Sequence, residues 1–249
     1  MYKYVLHYPA GNTTALVFGY NDLDFKQIND EILAKHKDVE QVGFIFMNKL
    51  RMAGGEICFN ALRCAAKFIL DFDDTKEIII KMNDKEYQCG INDNSFIKES
   101  ELKQKYENKK FYYMRISDNY EINKMSDYEY FVDLGDIFHV VYTKELDLNK
   151  IDLKEYAYSY FKEHNLLDKK ACGFMYLHNN CLEPIVWVRD IKTLFYESAC
   201  GSGSFSSFLY INKILNKDYL ALKQPSNEYL FLRKVNDLIE ISSIIEDIT

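Results

Sequence analysis

Gly54-Gly55-Glu56-Ile57-Cys58-Phe59-Asn60-Ala61 and Glu197-Ser198-Ala199-Cys200-Gly201-Ser202-Gly203-Ser204 each set a cysteine where a helix is expected to begin. A helix N-terminus carries unpaired N–H groups and partial positive charge, so it favours a thiolate and can also hold a carboxylate. Two such thiols facing one another would make an acid/base pair. These segments decide the fold because the sequence around them repeats.

The order of elements in the first half recurs in the second. A strand leading to Gly11-Asn12, followed by Thr14-Ala15-Leu16-Val17, matches residues 131–136 followed by His139-Val140-Val141-Tyr142; both read as strand, glycine turn, strand. A helix follows each. Phe25, Ile28 and Ile32 take helical spacing behind Asp22 or Asp24, and Tyr156, Tyr160 and Phe161 do so behind Asn149 or Asp152. Residues 42–48 align with residues 172–178 as short buried strands. The cysteine segments come next, each with its helix, and both halves return to strand at 77–82 and 219–223. Matched positions are offset by 124 (Gly11 and Gly135), 130 (Gly43 and Gly173) and 142 (Cys58 and Cys200), the slow growth that loop insertions in a duplicated unit produce.

The helix after Cys58 carries Glu56, Asn60, Arg63 and Lys67 as one narrow polar stripe on an apolar cylinder, which predicts a mostly buried helix. The helix after Cys200 opens on four small residues and turns apolar at Phe205, Phe208, Leu209 and Ile211. The expected fold is therefore α/β (α+β), with two pseudo-symmetric halves, each a strongly curved mixed sheet or barrel around a central helix. The halves are placed at 1–120 and 121–249, joined near residues 117–126, with the last strand free to pack back on the first half.

A chain of 249 residues can bury a real core as one large domain or two smaller ones. A net charge of −7 argues against nucleic acid or an anionic membrane as the main partner, since both favour a basic face. No apolar run reaches the roughly 18 residues of a membrane helix, and the start lacks a signal-peptide core. A cytoplasmic protein acting on a small molecule is expected, with a homodimer compatible. Six cysteines then stand as thiols, four of them read as small buried hydrophobes.

An amino acid held by both helix starts could lose its α-proton to one thiolate and receive a proton from the other thiol on the opposite face, which inverts the stereocentre. A helix start can bring a thiol's pKa toward neutrality, as a general base needs. The scheme needs no cofactor. There is no Gly-x-Gly-x-x-Gly fingerprint and no Walker A loop, and nothing points to a pyridoxal phosphate lysine. Cys58 with Cys64, and His178 with Cys181, lack the spacing of a metal site. His139 in an apolar strand fits a core histidine better than a catalyst, and Asn12, taken alone, fits a turn.

Cys58-Phe59-Asn60-Ala61-Leu62-Arg63-Cys64 resembles the Cys-Gly-Asn-Gly-x-Arg-Cys segment of the diaminopimelate epimerase-like, cofactor-independent amino-acid racemases, with both glycines replaced. Ala199-Cys200-Gly201-Ser202-Gly203 keeps the family's second motif intact. Gly11-Asn12, Glu40-Gln41-Val42 and the Gly135 to His139 segment, with Asp136 where asparagine is expected, resemble three further family motifs. The resemblance implies the epimerase-like fold and a two-thiol mechanism on Cys58 and Cys200. The arginine that holds the distal end of diaminopimelate is missing before Cys200. The shortened Glu197-Ser198-Ala199-Cys200 is similar to the histidine racemases of the family, the staphylopine-pathway type among them.

The resemblance thus implies a cofactor-independent racemase of histidine. Asn12, Asn60, Gly201 and Ser202 would hold the α-carboxylate and ammonium, Glu40, Gln41 and Glu197 would lie nearby, and Phe59 would offer a ring for stacking. The alternatives are a diaminopimelate epimerase or a racemase of another amino acid, and an amino-acid-binding protein without turnover.

Overall fold

Residues 2–19, 24–135, 137–190 and 192–248 are described in the computed structural model of the chain. Two compact units divide it: Met1–Ile116 with Leu238–Thr249, and Ser117–Asp237.

The first unit runs β1 (Lys3–Tyr8), β2 (Thr14–Phe18), α1 (Phe25–Lys35), β3 (Gln41–Phe46), β4 (Lys49–Met52), α2 (Phe59–Leu70), β5 (Glu77–Met82), β6 (Lys85–Asn92), a short α3 (Ser100–Lys105) and β7 (Phe111–Ser117). Pairing is antiparallel for β1–β2, parallel for β2–β3, antiparallel for β3–β4, parallel through a single bridge for β4–β5, then antiparallel for β5–β6 and β6–β7.

The second unit repeats this plan. After the two-residue β8 (Asn123–Lys124) come β9 (Glu129–Asp133), β10 (Phe138–Tyr142), α4 (Leu153–Glu163), β11 (Ala171–His178), β12 (Cys181–Val188), β13 (Thr193–Tyr196), α5 (Gly201–Lys213), β14 (Tyr219–Lys223) and β15 (Tyr229–Val235). The senses recur in order: β9–β10 antiparallel, β10–β11 parallel, β11–β12 antiparallel, β12–β14 parallel through a single bridge, β14–β15 antiparallel. Strand β13, which folds back on β12, has no counterpart in the first unit and lies where the offset between matched positions grows from 130 to 142.

Two strands from the far end of the chain, β16 (Leu238–Ser243) and β17 (Glu246–Ile248), complete the first unit. β16 pairs with β7, and β17 pairs antiparallel with β1. Only Ile244 and Ile245 separate β16 from β17, so the two ends of the strand succession are brought together and the sheet curls around α2. Ala61, Leu62, Ala65 and Ala66, residues that lose little rotamer freedom in a helix, are fully buried there. In α1 and α4 Ile28, Ile32, Tyr160 and Phe161 are buried as the spacing predicts, whereas Phe25 and Tyr156, at the first turns, are half-buried and Ala157 is buried in addition. Their N-caps are Asp24 and Asp152, each accepting two backbone N–H bonds. Asp22 and Asp136 lie outside the described residues.

Glu56 does not join the polar stripe of α2: it precedes the helix and is exposed. Asn60, Arg63 and Lys67 do form it, and all three are buried. Lys67 reaches Asp71 at 2.5 Å and Asp247 at 3.1 Å. Arg63 is wholly enclosed. Its guanidinium donates to Asn60 Oδ1 at 2.6 Å, to the Pro9 carbonyl at 3.5 Å and to the Ser243 hydroxyl, while its Nε reaches the Phe59 carbonyl at 3.4 Å. One planar fork thus ties α2 to β16 and to the loop before β2.

A lysine at position 63 would keep the buried charge but could not reach Ser243, Pro9 and Asn60 together. Arg63→Lys is therefore expected to lower stability by about 2 kcal/mol or more, read as a lower urea midpoint; an unchanged midpoint would show that the fork is not what holds this joint.

Candidate active site

Cys58 is the N-cap of α2, with extended backbone (φ −127°, ψ 110°), and its Sγ accepts the Ala61 N–H at 3.3 Å. Sulfur stands where a hydroxyl or carboxylate oxygen usually caps. The thiol donates to Gln41 Oε1 at 2.9 Å, at the first residue of β3. Thr14 Oγ1, at the first residue of β2, lies 3.3 Å from the same oxygen and 3.0 Å from the Asn12 carbonyl oxygen. Ala10, Gly11 and Asn12 all have positive φ (67°, 126° and 51°). A left-handed backbone costs a non-glycine residue roughly 1–2 kcal/mol, so this loop needs support. Thr14 and Arg63 bond its carbonyls, and the Glu40 and Gln41 N–H groups meet the Thr13 carbonyl at 2.9 and 3.3 Å.

Cys200 caps α5 in the same way (φ −123°, ψ 107°), its Sγ accepting the Gly203 N–H at 3.2 Å, with Ser202 Oγ 3.6 Å away. The Cys200 N–H goes to Gln224 Oε1 at 3.1 Å, and the Gln224 amide nitrogen meets Ser204 Oγ and the Leu222 carbonyl. Gly203 has a steric reason: a Cβ there would strike Met175 Sδ and crowd Cys200 Sγ. His139 is fully enclosed. Its Nδ1 lies 2.8 Å from Ser206 Oγ of α5, and burial drives its pKa down to about 3, so it is a neutral packing residue.

The helix starts do not bring the thiols toward neutrality here, contrary to the sequence-based expectation. Burial pushes the Cys58 thiol up to about 12, outweighing the N–H groups of Ala61 and Asn60, and nearby Glu56 and Cys64 act in the same upward direction. Burial also raises Cys200 well above the ordinary thiol value, with the Glu197 carboxylate adding to the rise by repelling the thiolate and accepting a bond from the thiol; Ser202 and the Gly203 N–H oppose it. The two caps match in backbone and differ in partner, an amide for Cys58 and a carboxylate for Cys200.

Of the residues singled out in the sequence, the first unit gathers Cys58, Phe59, Asn60, Asn12 and Gln41 around the start of α2, and the second gathers Cys200, Glu197, Gly201 and Ser202 around the start of α5. Phe59 is buried, and Asn60 turns its oxygen to Arg63. Glu40 is exposed and next to Gln41. Thr14, Met175 and Gln224 went unnoticed in the sequence. Thr14 and Met175 read there as strand residues, and Gln224 follows a strand with no motif around it. Among the described residues no group of three or more His, Cys, Asp or Glu is placed to hold a metal, and no helix is long and apolar enough to cross a membrane.

Two solved structures are similar across the whole chain: a phenazine biosynthesis protein of the PhzF family from Bacillus anthracis (TM-score 0.69, 11% identity, 98% of that chain covered) and one from Enterococcus faecalis (TM-score 0.65, 14% identity, 97% covered). They share the diaminopimelate epimerase-like fold, and this chain has that fold. The profile described as the histidine racemase CntK N-terminal domain matches residues 2–237. Histidine racemases from two strains of Fusobacterium nucleatum subsp. nucleatum are 29% and 28% identical, over 96% of this chain and 91% of each relative. The chain belongs to the histidine racemase family and is an isomerase, an amino-acid racemase.

A thiol titrating near 12 forms little thiolate at neutral pH, so alkylation of Cys58 in the free protein is expected to keep rising with pH to about pH 10. Iodoacetamide labelling followed by peptide mapping checks this; a plateau reached below about pH 8 would mean that the helix start prevails over burial.

Proposed function

We propose that the chain racemises histidine with two thiols, Cys58 and Cys200, acting on opposite faces of the α-carbon and without a cofactor. The observation that carries this reading is the shared cap: two helices at matching places in a repeated topology each begin with a sulfur that accepts the N–H three residues on. Such N–H groups compensate a thiolate and give a substrate carboxylate donors at the same helix start.

Burial makes each thiolate rare and, once formed, a stronger base, which suits removal of a weakly acidic α-proton. The substrate's ammonium supplies the opposite charge that favours ionisation on binding. The partner difference assigns the starting roles. Cys200, beside Glu197, holds its proton as the acid, and Cys58, beside a neutral amide, starts as the base. The α-proton moves to Cys58 while the Cys200 proton moves to the carbanionic carbon, and solvent exchange restores the pair for another turnover.

Asn12, Asn60, Gly201 and Ser202 are assigned to the α-carboxylate and ammonium, with Gln41, Phe59 and Glu197 beside them. Glu40 is assigned to the imidazole, as an exposed carboxylate joined in sequence to Gln41. The proposed compartment is the cytoplasm, where the thiols stay reduced.

L-Histidine in D2O is expected to give D-histidine carrying α-deuterium, and Cys58→Ser and Cys200→Ser are each expected to abolish the conversion. Full activity in either single variant would rule out the two-thiol scheme. Glu40→Gln is expected to raise KM for histidine roughly tenfold with kcat little changed, as loss of a charge-assisted hydrogen bond to bound substrate does. An unchanged KM would remove Glu40 from the substrate site.

A further inference from the structure

Gln41 offers one atom to two neighbours, Cys58 Sγ at 2.9 Å and Thr14 Oγ1 at 3.3 Å, and which amide atom stands there depends on the proton of Cys58. With the thiol protonated, the amide oxygen faces it as acceptor. A thiolate has no hydrogen to give and would meet that oxygen's lone pairs, an arrangement that penalises ionisation.

A half-turn about the terminal torsion of Gln41 exchanges oxygen for nitrogen. The nitrogen carries two hydrogens, one for the thiolate and one for Thr14. Thr14 can receive it because its own hydroxyl hydrogen has a permanent acceptor, the Asn12 carbonyl oxygen 3.0 Å away. The same hydroxyl can donate to the amide oxygen in the thiol state. Thr14 is fully buried while Gln41 is half-buried, so the fixed member is the one enclosed by the core.

We propose that Gln41 is a positioning residue that follows the protonation state of Cys58, accepting from the thiol and, after an amide half-turn, donating to the thiolate, with Thr14 and the Asn12 carbonyl satisfying both settings. This rests on the reading of Cys58 as a base and gives it a device for changing state within a buried site. The other ionisable groups acting on Cys58 are Glu56, Cys64 and Arg63; the variants below leave all three in place, and the one bond to them that they touch is that of Thr14 to Cys64, which works against the rise of the Cys64 thiol on burial.

The test follows alkylation of Cys58 by iodoacetamide at about pH 9 in the substrate-free protein, with the partly exposed Cys181 in the same digest as reference. Gln41→Met keeps the length, adds no charge and cannot donate, and is expected to slow Cys58 labelling about tenfold, the effect of raising its pKa by about one. Thr14→Val, which neither donates nor accepts, is expected to slow it several-fold, and Thr14→Ser to restore the wild-type rate.

A Gln41→Met ratio of Cys58 to Cys181 labelling within twofold of wild type overturns the proposal, as does equal labelling in Thr14→Val and Thr14→Ser. A rise in KM without a change in labelling would assign Gln41 to substrate alone and overturns it too. Labelling needs no turnover, so failure of the racemase reading and failure of this one are seen separately.

Discussion

A sulfur atom at the N-cap of a buried helix is the constraint around which each unit is arranged. The cap must present its side chain to the N–H three residues on, which fixes an extended backbone at Cys58 and Cys200. Around Cys58 the consequences spread outward: a left-handed loop brings Asn12 and Thr14 alongside, β3 delivers Gln41, and Arg63 holds loop, helix and β16 in one plane of hydrogen bonds. The helix start favours the anion and burial opposes it. Burial prevails by on the order of 4 kcal/mol at Cys58, taking its rise from 9.0 to about 12.

The matching of the two units stops at the partners of the thiols. An amide can serve either protonation state, whereas a carboxylate serves only the protonated one. Matched caps thereby acquire different surroundings, a neutral amide at Cys58 and a carboxylate that works against ionisation at Cys200.

Much of the architecture was legible because it rests on local patterns. Strand alternation, the spacing of Ile28 with Ile32 and of Tyr160 with Phe161, and the two cysteine segments each carry their structure within a few residues of sequence. The hairpin strand β13 was missed because Thr193–Tyr196 is only four residues long, with Phe195 and Tyr196 exposed and Leu194 alone packed against the core, too few to show alternation. Thr14 and Gln224 were missed because their partners are set by topology: Thr14 meets a residue 27 positions away, and Gln224 meets one 24 positions away. The thiol pKa was misjudged because a helix start is visible in sequence, whereas the enclosure of the sulfur depends on the whole sheet around it.

The strands β16 and β17 have a consequence for how the chain is made. The first unit needs them to pair with β7 and β1, to supply Ser243 to Arg63 and to set Glu240 against Arg115. All of the second unit lies before them in the sequence. A nascent chain therefore carries its first unit unfinished on the ribosome while the second, continuous in sequence, is free to fold, which reverses the usual order in which the N-terminal domain is completed first.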